Sequence, residues 1–185
     1  MAVFTVWWSS DTFFGWSRPA AIIAATIGAL AAVFFVVQSM RLLIASRKQP
    51  VQPDGSDRAL GKRNGRAFGL VFAAEGVLIA LAVVVLSSFG LDDFVLPVIA
   101  LIVGLHFYPM ARIFNRSIDV WLATWTTLVA IAGIVAVALD RPDAALVWAW
   151  VGAGVAAATV SYGLYMAQFG QRLLRLSAGP SKPAS

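Results

Sequence analysis

Glu75 and His106 are the residues of this 185-residue chain whose types and placement could do chemistry. Each sits inside an apolar run, Glu75 in GLVFAAEGVLIALAVVVL and His106 in FVLPVIALIVGLHFYPM. An ionisable group is costly in hydrocarbon, so it marks a candidate functional site with a partner to be named. Each of these two is the other's most plausible partner. A neutral acid beside a neutral imidazole and a charged pair differ by one proton transfer, which is the equipment for proton coupling or for general acid-base catalysis. The same two groups can also do no more than pin two helices together, for ~0.6 to 2 kcal/mol.

The elements that must position this pair follow from composition. Hydrophobic residues make up 60% of the chain and charged ones 12%, which is the balance of an integral membrane protein. Five apolar runs reach the ~20 residues that a helix needs to cross a bilayer. They lie at about 19–44, 67–89, 94–113, 120–139 and 144–169. The alternating pattern of a membrane barrel is missing. The expected fold is an all-α membrane protein, a bundle of five transmembrane helices forming one domain over 18–170. An outer interfacial segment is expected at 1–17, a basic cytoplasmic loop at 45–66 and a cytoplasmic tail at 171–185.

Loop charges orient the bundle, because Lys and Arg are retained on the cytoplasmic side. Arg41, Arg47, Lys48, Arg58, Lys62, Arg63, Arg66, Arg112, Arg116, Arg172, Arg175 and Lys182 fall on one side. Arg18 and Arg141 fall on the other, with Asp11, Asp92, Asp93, Asp140 and Asp143. This predicts an N-terminus outside, a C-terminus inside, and a multi-pass protein of the cell inner (plasma) membrane. The basic excess then reads as topology and contact with anionic lipid headgroups at the cytoplasmic face, not as nucleic-acid binding. Val3, Val6, Trp7, Phe13, Phe14 and Trp16 suit a helix or turn lying on the outer interface. No basic region or A-x-A site marks residues 1–16 as a removable signal peptide. The stretch SRKQPVQPDGSDRALGKRNGR has the composition of a flexible linker.

Depth decides whether Glu75 and His106 can meet. Glu75 lies eight residues from the cytoplasmic start of its run and His106 seven from the cytoplasmic end of its own. That places them ~12 Å and ~10 Å deep. The two runs are joined by a short connection and so form antiparallel neighbours. Gln38, Ser39, Thr124, Thr126, Thr127, Ser161, Tyr162 and Tyr165 fall in the same layer by the same counting. Gln38, Tyr162 and Tyr165 are therefore the candidate hydrogen-bonding walls of a polar pocket around the pair. Gly76, Gly133, Gly152 and Gly154 permit close helix approach. Pro109, three residues after His106, removes a backbone donor and favours a kink. Arg112, Asn115 and Asp119 stand at the inner mouth, where anchoring and helix capping are their ordinary duties.

Several function classes are then disfavoured. Cysteine is absent, which removes disulfides, thiolate metal sites and cysteine nucleophiles. With a single histidine and Glu75 as the one acid deep in a run, a dedicated zinc site is short of ligands and bis-histidine haem ligation within one chain is impossible. No cofactor is expected. The leading expectation is a proton-linked small-molecule transporter or ligand-binding membrane protein. The alternatives are an intramembrane lipid-modifying or hydrolytic enzyme with His106 and Glu75 as acid and base, and an accessory subunit in which the pair only pins helices. Membrane lipid, a proton or a small molecule, and a second copy of the chain are the expected partners.

Overall fold

Apolar runs of this length become helices because a segment in hydrocarbon has only its own backbone to satisfy its amides. In a computed structural model, which describes residues 1–48, 55–140 and 142–177, the chain forms six helices in sequence. They are α1 (Ala2–Ser10), α2 (Arg18–Lys48), α3 (Gly55–Ser88), α4 (Val95–Phe114), α5 (Ser117–Ala138) and α6 (Ala144–Ser177). Two short 3-10 turns, Asp11–Phe14 and Asp92–Phe94, complete the set. Helices α2 to α6 are long and apolar enough to cross a membrane. Among the described residues there is no strand. Arg141 and Lys182, used in the orientation argument, and the end of the tail lie outside the described residues.

Helix ends differ most from the sequence reading where charge, not hydropathy, fills the segment. α3 begins at Gly55 and so runs through much of the expected 45–66 linker. Beyond Pro53 the stretch DRALGKRNGRA holds no proline, and its Ala, Leu, Lys and Arg are strong helix formers that carry Gly61 and Gly65. α6 likewise continues through QRLLRLS to Ser177. Between α4 and α5 the chain turns on Asn115, whose φ of 50° is left-handed and whose N–H donates to the Ala111 carbonyl. Asparagine tolerates this conformation better than most residues. Gly90, with φ of 69°, serves the turn after α3.

Helices α3, α4, α5 and α6 are each antiparallel to the next. The pairs Phe68 with Phe114, Gly104 with Thr127, and Trp125 with Gly154 fix these alignments. α2 runs parallel to α6, with Phe35 against Gly163 and Leu42 against Gly170. One end of the bundle therefore gathers Asp92, Asp93, Asp140 and Asp143, and the other gathers Arg112, Arg116 and Arg172. The core lies where α4, α5 and α6 converge, around Ala100, Val103, Phe107, Ala123, Ala130, Val151 and Val155. At Gly104 a Cβ would stand 2.8 Å from the Thr127 backbone nitrogen, so only glycine permits this approach. α3 sits at the edge, packed on α4 and on the turn before it.

The 1–17 segment, expected on the outer interface, packs between α2 and α6. Its Thr5, Trp8, Ser9 and Thr12 are buried, while Val3, Trp7, Phe13 and Phe14 are exposed. The Thr5 hydroxyl donates to Thr159 Oγ1 at 3.1 Å, fifteen residues into α6. Thr5, Ser9 and Thr12 follow at spacings of four and three, so they share one face. Small hydroxyl side chains let helix backbones approach closely and satisfy one another across the contact. Gly28 of α2 lies against Ser9, and Gly152 of α6 against Trp8 and Asp11.

Candidate functional site

Glu75 of α3 and His106 of α4 meet. Glu75 Oε1 lies 3.2 Å from His106 Nδ1, with the side chains 8% and 13% exposed. The antiparallel α3–α4 pairing sets the two at one level, and the Phe68 and Phe114 rings, 6.2 Å apart, close the seam toward the basic end. The distance is that of an ion pair, yet Nδ1 makes no aligned hydrogen bond. Proximity without alignment leaves the contact as a charge or proton relation between two groups, weaker as a directional tether than a well-formed hydrogen bond.

Beside the pair lies a cavity of about 250 Å³ lined by Val71, Leu78, Ile102, Leu105 and Pro109 together with Glu75 and His106. Pro109 has no N–H to give the Leu105 carbonyl one turn earlier. An apolar chamber therefore carries a carboxylate, an imidazole and one carbonyl freed from the helical ladder. Small-molecule sites have this character, mostly apolar walls with few convergent polar groups.

The wider polar layer does not close around the pair. Gln38 and Tyr162, with Ser39, line a different cavity of about 500 Å³ between α2 and α6. Tyr165 is 37% exposed and its ring stacks on Phe169 at 6.3 Å. Phe107 stands between the two places, its ring 4.2 Å from His106 and 6.0 Å from Tyr162. Of the remaining layer residues, Thr124 lies 3.2 Å from the Tyr108 hydroxyl, and the hydroxyl oxygens of Thr126 and Thr127 are buried without hydrogen-bond partners.

A second charged cluster, at the basic end, is one that residue counting missed. Arg116 Nε donates to Asp119 Oδ2 at 3.1 Å, and Asp119 is wholly buried. The guanidinium also reaches Met166 Sδ at 3.3 Å and lies 4.6 Å above the Phe114 ring. Tyr162 faces both members, with Arg116 5.7 Å above its ring. Asp119 occupies the first turn of α5, where the helix dipole favours a negative charge. The sequence signal was the Arg116-x-x-Asp119 spacing, which sets the residue capping the start of α5 beside an acid in its first turn. Arg112 sits in the last turn of α4 and Asn115 closes that helix.

No three His, Asp or Glu side chains converge among the described residues as a metal site would require. Nor is any serine or threonine hydroxyl among them hydrogen-bonded to His106. Compared with protein-family models, with curated proteins and with solved structures, the chain matches none.

Proposed function

We propose that this chain is a proton-linked membrane carrier or binding protein for a small, largely apolar molecule, with Glu75 and His106 as its protonatable element. The observation that carries the reading is the 3.2 Å approach of the two groups, from different helices, at the wall of a 250 Å³ cavity. α3 packs on α4 and the adjoining turn, so a proton gained or lost at this contact acts on the seam that holds α3. Ligand entering the cavity competes with His106 for the Glu75 carboxylate, which links occupancy to protonation. In this reading the basic end of the bundle faces the cytoplasm, so the seam lies nearer the inner face of a cell inner membrane, with anionic headgroups against its arginines. Hydrolysis is the weaker reading, because a nucleophile must lie within hydrogen-bond reach of its base.

Infrared difference spectra of the reconstituted protein between acid and neutral pH test the proton role directly. The protonated-carboxyl band, to which Asp11 and the other acids also contribute, is expected to hold a component that is lost in Glu75→Gln and displaced in His106→Ala. An unchanged band in Glu75→Gln rejects the assignment.

A further inference from the structure

Away from the α3–α4 seam, one ionisable group is buried with no charge to answer it. Asp11 opens the 3-10 turn after α1 and is 6% exposed, with its Oδ2 buried and lacking any hydrogen-bond partner. Its side chain rests on Gly152 of α6, where a Cβ would stand 2.6 Å from Asp11 Cβ and 2.7 Å from the Trp8 carbonyl oxygen. The neighbouring residues Ser9, Thr12 and Trp16 form one wall of a cavity of about 600 Å³. Its other walls are α2 at Ala20, Ala24 and Gly28, and α6 from Ala153 to Ser161.

We propose that Asp11 is a proton-operated latch: in its neutral form it seats the segment 1–14 between α2 and α6, and its ionisation releases that segment and opens the cavity behind it. The seat is built for a neutral group. A buried carboxylate is tolerated when paired or hydrogen-bonded, and Asp11 has neither on its exposed-to-nothing oxygen. Every packed element has been stripped of charge at this place. α1 carries no ionisable side chain, and α6 none from Ala144 to Ser161. Arg18 at the start of α2 and Asp143 just before α6 are the charged groups nearest in sequence to the seat, and neither forms an ion pair with Asp11. Against this, the seated segment is held by the Thr5–Thr159 hydrogen bond, the buried Trp8 side chain, close contact at Gly15, Gly28 and Gly152, and the Phe14–Trp148 ring contact. An ionised Asp11 in this seat opposes those contacts with an unanswered buried charge.

Burial pushes the Asp11 carboxyl up from 3.8 to about 6. The seated state thus holds its proton more tightly than a released, solvated state. Its advantage is complete below about pH 4, declines as pH rises, and is gone above about pH 6, a change of roughly a hundredfold in the seated-to-released ratio.

The cysteine-free sequence allows a pair of spin labels without background. Val3→Cys on α1 and Val135→Cys on α5 place both labels at exposed positions. Pulsed dipolar distances in lipid nanodiscs are expected to show one population at about pH 4 and an added, longer one at about pH 7. Asp11→Asn is expected to hold the single population at both. Amide exchange over residues 2–14 of the otherwise unaltered chain, referenced to α4 and α5, gives the same reading should the Asn variant fail to fold. Distances and protection that ignore pH in the wild type, or a pH response surviving in Asp11→Asn, overturn the latch.

Discussion

The two faces of α4 are bound to their neighbours by different means. Toward α5 the contact is dry and close: Gly104 admits Thr127 to within van der Waals distance, and Pro97 packs toward Gly133. Toward α3 the contact is looser, with an acid and an imidazole 3.2 Å apart beside an open cavity. Gly69 and Gly76 of α3, where glycine could have allowed close approach, take no part in this contact, since a Cβ added at either would meet nothing within 4 Å. Close packing between helices is insensitive to pH and salt, whereas a polar contact changes with every proton. One helix can therefore serve as the fixed wall of a core and as the moving side of a switch.

Breaking the tight face should have the largest effect. Gly104→Leu drives a side chain into the α5 backbone, and a loss of about 3 kcal/mol or more is expected in denaturant unfolding of the micelle-bound protein. If that variant is no less stable than Glu75→Ala, the contrast between the faces is wrong. Glu75→Ala comes next, at about 1 to 2 kcal/mol, with α3 loosened and the α4–α5 seam untouched. Amide exchange confined to α3 would show it, and exchange spread equally over α5 would count against it. The double variant Glu75→Ala with His106→Ala is expected to lose about 1 kcal/mol less than the sum of the singles. Strict additivity would mean that the two groups do not interact. Trp125→Phe removes the indole donor to the Gly154 carbonyl, 2.9 Å away, and should lower stability by about 0.6 to 1 kcal/mol. The smallest effect is expected for Gly76→Ala, neutral to about 1 kcal/mol stabilising, because helix propensity improves and nothing is displaced. A clear destabilisation there would reveal a partner on the face of α3 that the chain itself leaves open.

What the sequence made legible here is depth. Counting residues along antiparallel runs brought Glu75 and His106 to one level, and short connections made their helices neighbours, so the pair could be read before any coordinates. Depth does not give direction around the helix axis. Gln38, Tyr162 and Tyr165 share the layer but not the site, because each successive residue turns about 100° and the counting ignores that turn. The Arg116–Asp119 pair went unread for a related reason: arginine at a helix end looks like an interfacial anchor, and its burial depends on α6 bringing Tyr162 and Met166 over it. Residues 1–14 were read by Val3, Trp7, Phe13 and Phe14, which are exposed, while the face that seats them is made of Thr5, Ser9 and Thr12 with Trp8. Hydropathy gives hydroxyls little weight, yet between helices they allow the closest approach.

The edge position of α3 sets a demand on biosynthesis. α3 emerges from the ribosome before α4, and His106 follows Glu75 by 31 positions. At about 5 to 20 residues per second, that acid waits roughly 2 to 6 s for its imidazole. During that interval the insertion machinery, or water at its lateral opening, has to shelter a carboxyl group that the finished protein shelters for itself. A nascent chain that stalls in this window exposes an unanswered acid to the lipid, a mark by which membrane quality control can tell an unfinished copy from a complete one.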